Sequence, residues 1–268
     1  MTPIDARIEG IGFWSKGLPS WSDAAAFAHA GTLPENAPAR PSPQLLAANE
    51  RRRAPESVAV ALEVALAACQ AAGRDPATLP SVFASTHGDL GITDYMCETL
   101  AGDDPAAISP TRFHNSVYNA AAGYWTIGAG CMHPSTALSA YAATFAQGLL
   151  EALMQLATGH DAVLLAAYDT GASGPLVAIS NTTGTLGGAL VLAKGDGHGR
   201  GLRAWLADGE ATPADGALAR REAGNAMHPM LPLFDALAHE AAATLSLDAG
   251  AGRVLMIELD PAPLQEPA

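Results

Sequence analysis

Along this chain the hydrophobic positions switch repeatedly between a period of two and a helical period, and the switches mark out alternating strands and helices. Arg7 to Trp14 is predicted as a strand with Gly10 and Gly12 inside it, and Ser81 to Thr86 as a short one closed by His87-Gly88-Asp89. Asp161 to Tyr168 is a continuous apolar run, as expected of a strand covered on both faces. Gly184 to Lys194 and Gly201 to Ala207 read as two strands joined by the loop Gly195 to Arg200, and Arg253 to Leu259 as a final strand. Helical spacing takes over from Pro55 to Ala72, where Val60, Val64 and Ala67 recur on one face. Proline in the first turn and Glu56 near the positive end start this helix, and Gly73 ends it. Leu90 to Leu100, the Ala/Gly-rich stretch Asn119 to Gly130, and Pro232 to Leu245 are the other predicted helices before and after the central segment. Four prolines between Leu33 and Pro43 forbid a helix there and predict an extended arm. The central segment itself reads as a short strand (Thr136 to Tyr141), a tight turn, and a small-residue helix to about Thr158.

The pattern makes an α/β protein, and composition agrees. Of 268 residues, 49% are apolar and only 15% charged, which suits a heavily buried core in one large domain or two small ones. The net charge of −13 argues against a nucleic-acid partner, whose phosphates need a basic surface. Cys69, Cys97 and Cys131 are scattered and form no CxxC, which suggests free thiols in a reducing, cytoplasmic setting. No apolar run reaches 18 residues and no basic-then-apolar leader opens the chain, so neither membrane spanning nor secretion is expected.

Familiar catalytic motifs are missing from the string. There is no P-loop, no HExxH and no GxSxG elbow, and the eight histidines do not cluster at helical spacing, so no metal site and no cofactor is expected. Gly10-x-Gly12 lacks a third glycine at dinucleotide spacing, since Ser15 stands there. The chemically suggestive feature is the strand-turn-helix elbow at residues 136 to 158. Such a turn exposes a side chain at the positive end of a helix, where a thiol pKa falls and a nucleophile gains reactivity.

Two stretches carry a family resemblance. Ile108 to Gly128, with Asn119 opening a small-residue helix, resembles the β-ketoacyl synthase segment that precedes the elbow. Pro134 and Gly159 then bracket an elbow that is similar to that of the same family, and anchoring on either places Ala142 where the family's cysteine stands and Thr144 where a serine commonly follows. The string Phe113 to Trp125 (Phe-x-Asn-Ser-Val-x-Asn-Ala-Ala-Ala-Gly-Tyr-Trp) resembles the short ketosynthase-like group of aryl-polyene and xanthomonadin-type pigment synthesis, which includes chain-length-factor-like proteins without the cysteine.

That resemblance implies a thiolase-like layered fold, with residues 1–195 as a complete first half and 196–268 as a shortened second half. It also implies the loss of condensing chemistry, because Ala142 offers no nucleophile and none of His198, His228 and His239 sits in the family's catalytic histidine context. The implied role is that of a partner for a catalytic ketosynthase, with the acyl carrier protein engaged only indirectly and no nucleic acid or membrane involved. Expected at the acyl tunnel or interface are Phe113, Asn115, Tyr118, Asn119, Ala122, Trp125, Leu138, Tyr141 and Ala142. The loop Phe113 to Asn119 and the elbow strand are expected at a two-fold or pseudo-two-fold contact. Three alternatives stay open at this point: a condensing enzyme with a displaced thiol, an acyl hydrolase using Ser139 or Thr144, and a self-associating acyl-binding protein that forms homodimers in isolation. Cys131 lies between helix and strand, about 17 Å from the elbow at strand rise, and Cys69 and Cys97 are expected to be buried and inert.

Overall fold

A computed structural model describes residues 2–180, 182–195 and 198–262. Eight strands form one sheet: β1 (Ile4–Ser15), β2 (Ser81–Ala84), β3 (Ser135–Leu138), β4 (Ala162–Asp169), β5 (Leu186–Lys194), β6 (Arg200–Asp208), β7 (Ala243–Gly250) and β8 (Arg253–Leu259). Their order is β3-β2-β4-β5-β1-β6-β8-β7, so β3 stands at an open edge. β2 pairs in parallel with β3 and β4, and the remaining pairs are antiparallel. The helices are α1 (Trp21–Ala30), α2 (Ala48–Arg51), α3 (Glu56–Ala71), α4 (Leu90–Ala101), α5 (Pro110–Asn115), α6 (Ala120–Ala129), α7 (Thr144–Ala157), α8 (Val177–Ser180), α9 (Ala217–Arg221) and α10 (Leu231–Ala238). Of the predicted loop Gly195 to Arg200, residues 196 and 197 lie outside the described residues.

Two helical layers sandwich the sheet, as the alternation of its strands requires. On one face Phe145, Leu149, Leu153 and Leu156 of α7 and Phe234 of α10 pack on Val163, Leu165 and Leu190. On the other, α3 and α6 cover Phe83, Leu164, Ala166 and Val191, the alternate residues of the same strands. α3 is apolar almost all round because it is held between the sheet and α6. The two glycines of β1 allow its close approach. A Cβ added at Gly10 would lie 2.1 Å from the Ala68 carbonyl oxygen, and one at Gly12 would lie 2.0 Å from that of Val64. The Gly-x-Gly is therefore a helix-packing device.

Several predicted boundaries are corrected. The elbow strand ends at Leu138 rather than Tyr141, because β2, its one neighbour among the described residues, runs out at Ala84, the residue paired with Leu138. The predicted helix Pro232 to Leu245 is a helix ending at Ala238 followed by β7. Buried Arg200 ends the helix by donating to the carbonyls of Ala236, Leu237, His239 and Ala241. From Ala243 the apolar period changes to two, with Leu245, Leu247 and Ala249 turned into the core. The stretch Phe113 to Asn119, expected as a loop, begins inside α5, which Ser109 caps. Cys97 is exposed rather than buried.

Candidate functional site

The carboxyl ends of the parallel strands β3, β2 and β4 place three turns side by side. Asp169, at the end of β4, is fully buried and organises the loop after β2. Its carboxylate accepts from Ser85 Oγ at 2.8 Å, Thr86 N at 2.9 Å and His87 N at 3.2 Å. Burial pushes its carboxyl above the ordinary range against the pull of these donors. Tyr118 ties the same loop to the elbow strand. Its hydroxyl accepts from Ser85 N at 3.1 Å and donates its single proton toward the carbonyls of Ser85 and Leu138, and burial pushes its pKa up to about 12.

Beyond β3 the chain makes one turn of 3-10 helix, Tyr141 to Ala143, and enters α7. Thr144 secures the turn: its Oγ1 accepts from Ala140 N at 3.0 Å and donates to the Tyr141 carbonyl at 2.6 Å. The backbone apex is Tyr141, with φ of 52°, and its side chain is 74% exposed beside the His87 ring, 6.5 Å away. Ala142 follows and faces a cavity of about 210 Å³ that His228, Thr212, Ser246 and Asp248 also line. At either residue the elbow presents a phenol or a methyl, and neither is a thiol.

The other candidate nucleophiles sit badly for this turn. Ser139 Oγ donates to the Thr86 carbonyl at 3.0 Å, and Thr144 Oγ1 is spent on closing the turn. Cys131 is buried and donates to the Leu79 carbonyl, and burial pushes the Cys69 thiol up to about 12, away from the thiolate form.

The nine residues singled out in the sequence divide by depth. Asn115, Ala122 and Trp125 are buried, and Trp125 packs on Phe83 in the core with ring centroids 6.1 Å apart. Tyr118 and Leu138 are half-buried; Asn119, Ala142, Phe113 and Tyr141 are exposed. Phe113 is joined by further exposed apolar side chains along the chain from α5 to β3, namely Val117, Ile127 and Met132. Sequence reasoning missed His87 beside the elbow and the organising role of Asp169. An acidic residue directly ending the apolar run 161–168 was the available signal. It also missed that His228 shares a cavity with Ala142.

A layered α/β sheet with a strand-turn-helix elbow at the carboxyl ends of its parallel strands has a thiolase-like fold. Residues 21–228 match the family model described as beta-ketoacyl synthase, N-terminal domain, and the chain belongs to that family. Among solved structures it is similar to a chain of the ketosynthase (ApeO) in complex with its chain length factor (ApeC) from Xenorhabdus doucetiae, with 21% identity over 95% of this chain and 99% of that one and a TM-score of 0.73. It is also similar to the ishigamide ketosynthase/chain length factor, with 15% identity over 98% of this chain and 100% of that one and a TM-score of 0.73. A third likeness is to the type II PKS acyl-carrier protein in complex with its ketosynthase (AntDE:AntF), with 12% identity over 96% and 99% and a TM-score of 0.70. At these identities the likeness establishes the fold. No relative was found among curated protein sequences.

Proposed function

We propose that this chain is a non-catalytic, chain-length-factor-like partner of a β-ketoacyl-ACP synthase in aryl-polyene, polyketide or fatty-acid-type pigment synthesis. It stabilises the heterodimer and shapes the acyl tunnel. One observation carries the reading: the elbow is kept and tightly braced by Thr144 and Tyr118, yet its apex holds Tyr141 and Ala142 where chemistry needs a nucleophile. An open edge strand, with exposed Phe113, Val117, Ile127 and Met132 on the stretch of chain that leads into it, supports a partner surface. The matched chains of ketosynthase/chain length factor complexes are spanned almost end to end, which supports the same reading. We read residues 196–268 as the shortened second half and the acidic chain as a poor primary dock for an acidic carrier protein, which then docks on the catalytic partner. Phe113, Asn119, Tyr141 and Ala142, as the exposed members of the nine, are the proposed partner-facing set. Among the described residues no helix is long and apolar enough to cross a membrane.

The test is elongation. Incubated alone with malonyl and acyl carrier thioesters, the chain forms no acyl adduct detectable by mass spectrometry and extends nothing. Ala142→Cys and Tyr141→Cys do not restore condensation by themselves, because a lone thiol still lacks the paired histidines that stabilise the developing charge. Elongation by the wild-type chain alone, abolished by Cys97→Ala or Cys131→Ala, overturns the proposal.

A further inference from the structure

A second site lies on the same end of the sheet, away from the elbow. A cleft of about 950 Å³ opens at the ends of β1 and β4 and the start of β5, beside the amino ends of α3 and α4. Lys16, Arg40, Arg53 and Arg112 line it, brought from four separate segments. The chain has only 14 Lys and Arg against 27 Asp and Glu, so carboxylate partners are in excess. Even so, none of these four side chains forms an ion pair or hydrogen bond among the described residues. The ion pairs there belong to other cations, and Arg112 lies over the Tyr95 ring at 4.0 Å. Two carboxylates share the cleft but are engaged: Asp89 accepts from Ser57 Oγ at 2.7 Å and Ile92 N at 2.8 Å, and Glu56 accepts from Thr185. Four cations against two carboxylates leave the lining net positive in a chain of −13.

Asn115 also lines the cleft and is 4% exposed. The amino end of α3 adds to this. Its cap residue, Pro55, offers no side-chain acceptor, so the first-turn amides of a 16-residue helix start at the cleft that Pro55 and Glu56 line. Trp14 and Ile92 supply apolar wall for the body of a small molecule.

We propose that this cleft binds a small organic anion, a phosphate or carboxylate held by Arg40, Arg53, Arg112 and Lys16. The site belongs to this chain alone, and neither the elbow nor a ketosynthase partner is needed to form it.

Calorimetric titration of the full chain at constant ionic strength tests it, with inorganic phosphate, pyrophosphate and malonate as probes. Saturable one-to-one binding of at least one probe is expected. Arg40→Gln with Arg53→Gln, both at exposed positions, weakens it by about tenfold or more. Asn115→Asp weakens it too, while Lys194→Gln, whose lysine pairs with Asp161 outside the cleft, leaves it unchanged. Preference for the phosphates or for malonate identifies the headgroup. Absence of saturable binding, or equal binding by the double variant and Lys194→Gln, overturns the site. Loss of association with an acidic protein in the double variant, without anion binding, assigns the cations to a protein interface and also overturns it. Because the chain is titrated alone, failure here leaves the proposed partner role standing.

Discussion

Removing a single oxygen, Tyr118→Phe, separates the two jobs that this residue can have. In the structure its hydroxyl joins Ser85 at the end of β2 to Leu138 at the end of β3. Ser85 N also reaches the Leu138 carbonyl at 3.3 Å, so the variant leaves that donor one partner and does not orphan it. The loss is therefore one net hydrogen bond plus partial desolvation of a carbonyl, about 1–2 kcal/mol. For a domain of this size that lowers the Tm by roughly 2–6 °C. Urea unfolding and a thermal melt measure it, and hydrogen exchange at Ser85 should rise locally. The pH dependence gives a second signature. The phenol's pKa is raised from 10.0 to about 12 in the folded chain, so its contribution is complete below pH 10 and is lost as pH rises towards 12. The stability difference between wild type and Tyr118→Phe should shrink over that window. A variant within about 0.5 kcal/mol of wild type at neutral pH, or a difference constant through the alkaline range, refutes the tether.

Three other outcomes follow from the same geometry. Leu138→Asp puts a carboxylate on the open edge strand, and if that edge is covered by a partner it costs about 3–5 kcal/mol of association, read as loss of co-elution; unchanged co-elution places the partner elsewhere. A thiol reagent applied to the native chain should label Cys97 fast and Cys69 and Cys131 only on unfolding, since only the first is exposed; fast labelling of Cys69 contradicts its burial. Phe113→Ala, at a side chain 60% exposed in this chain, should lengthen the product made with a fixed ketosynthase; reduced yield at unchanged length assigns Phe113 to support alone.

How much of this could be read from residue order differed by element. Helix α3 and strands β1, β4 and β5 were legible because long periodic runs survive local noise. The α10–β7 junction was not, because an alanine-rich link favours helix locally and the helix is ended by Arg200, about 40 residues earlier in the chain. The elbow was legible as a shape, but its apex was not. The positive φ falls on Tyr141, a residue type that gives no signal for it. Trp125 and Ala122 stood out by their place in a motif, which does not reveal depth: both are buried, Trp125 against Phe83. The anion cleft left no linear trace, because its four cations come from segments up to 96 positions apart, Lys16 and Arg112 being the extremes.

The most direct measurement of the central claim is co-expression of this chain with a candidate ketosynthase, followed by size-exclusion with mass determination and an elongation assay on the purified species. The account predicts a one-to-one complex that buries well over ~1,600 Å², condenses acyl units through the partner's thiol, and loses all activity when that thiol alone is removed. A chain that stays monomeric or homodimeric beside every such ketosynthase, with elongation unaffected by its presence, contradicts the account.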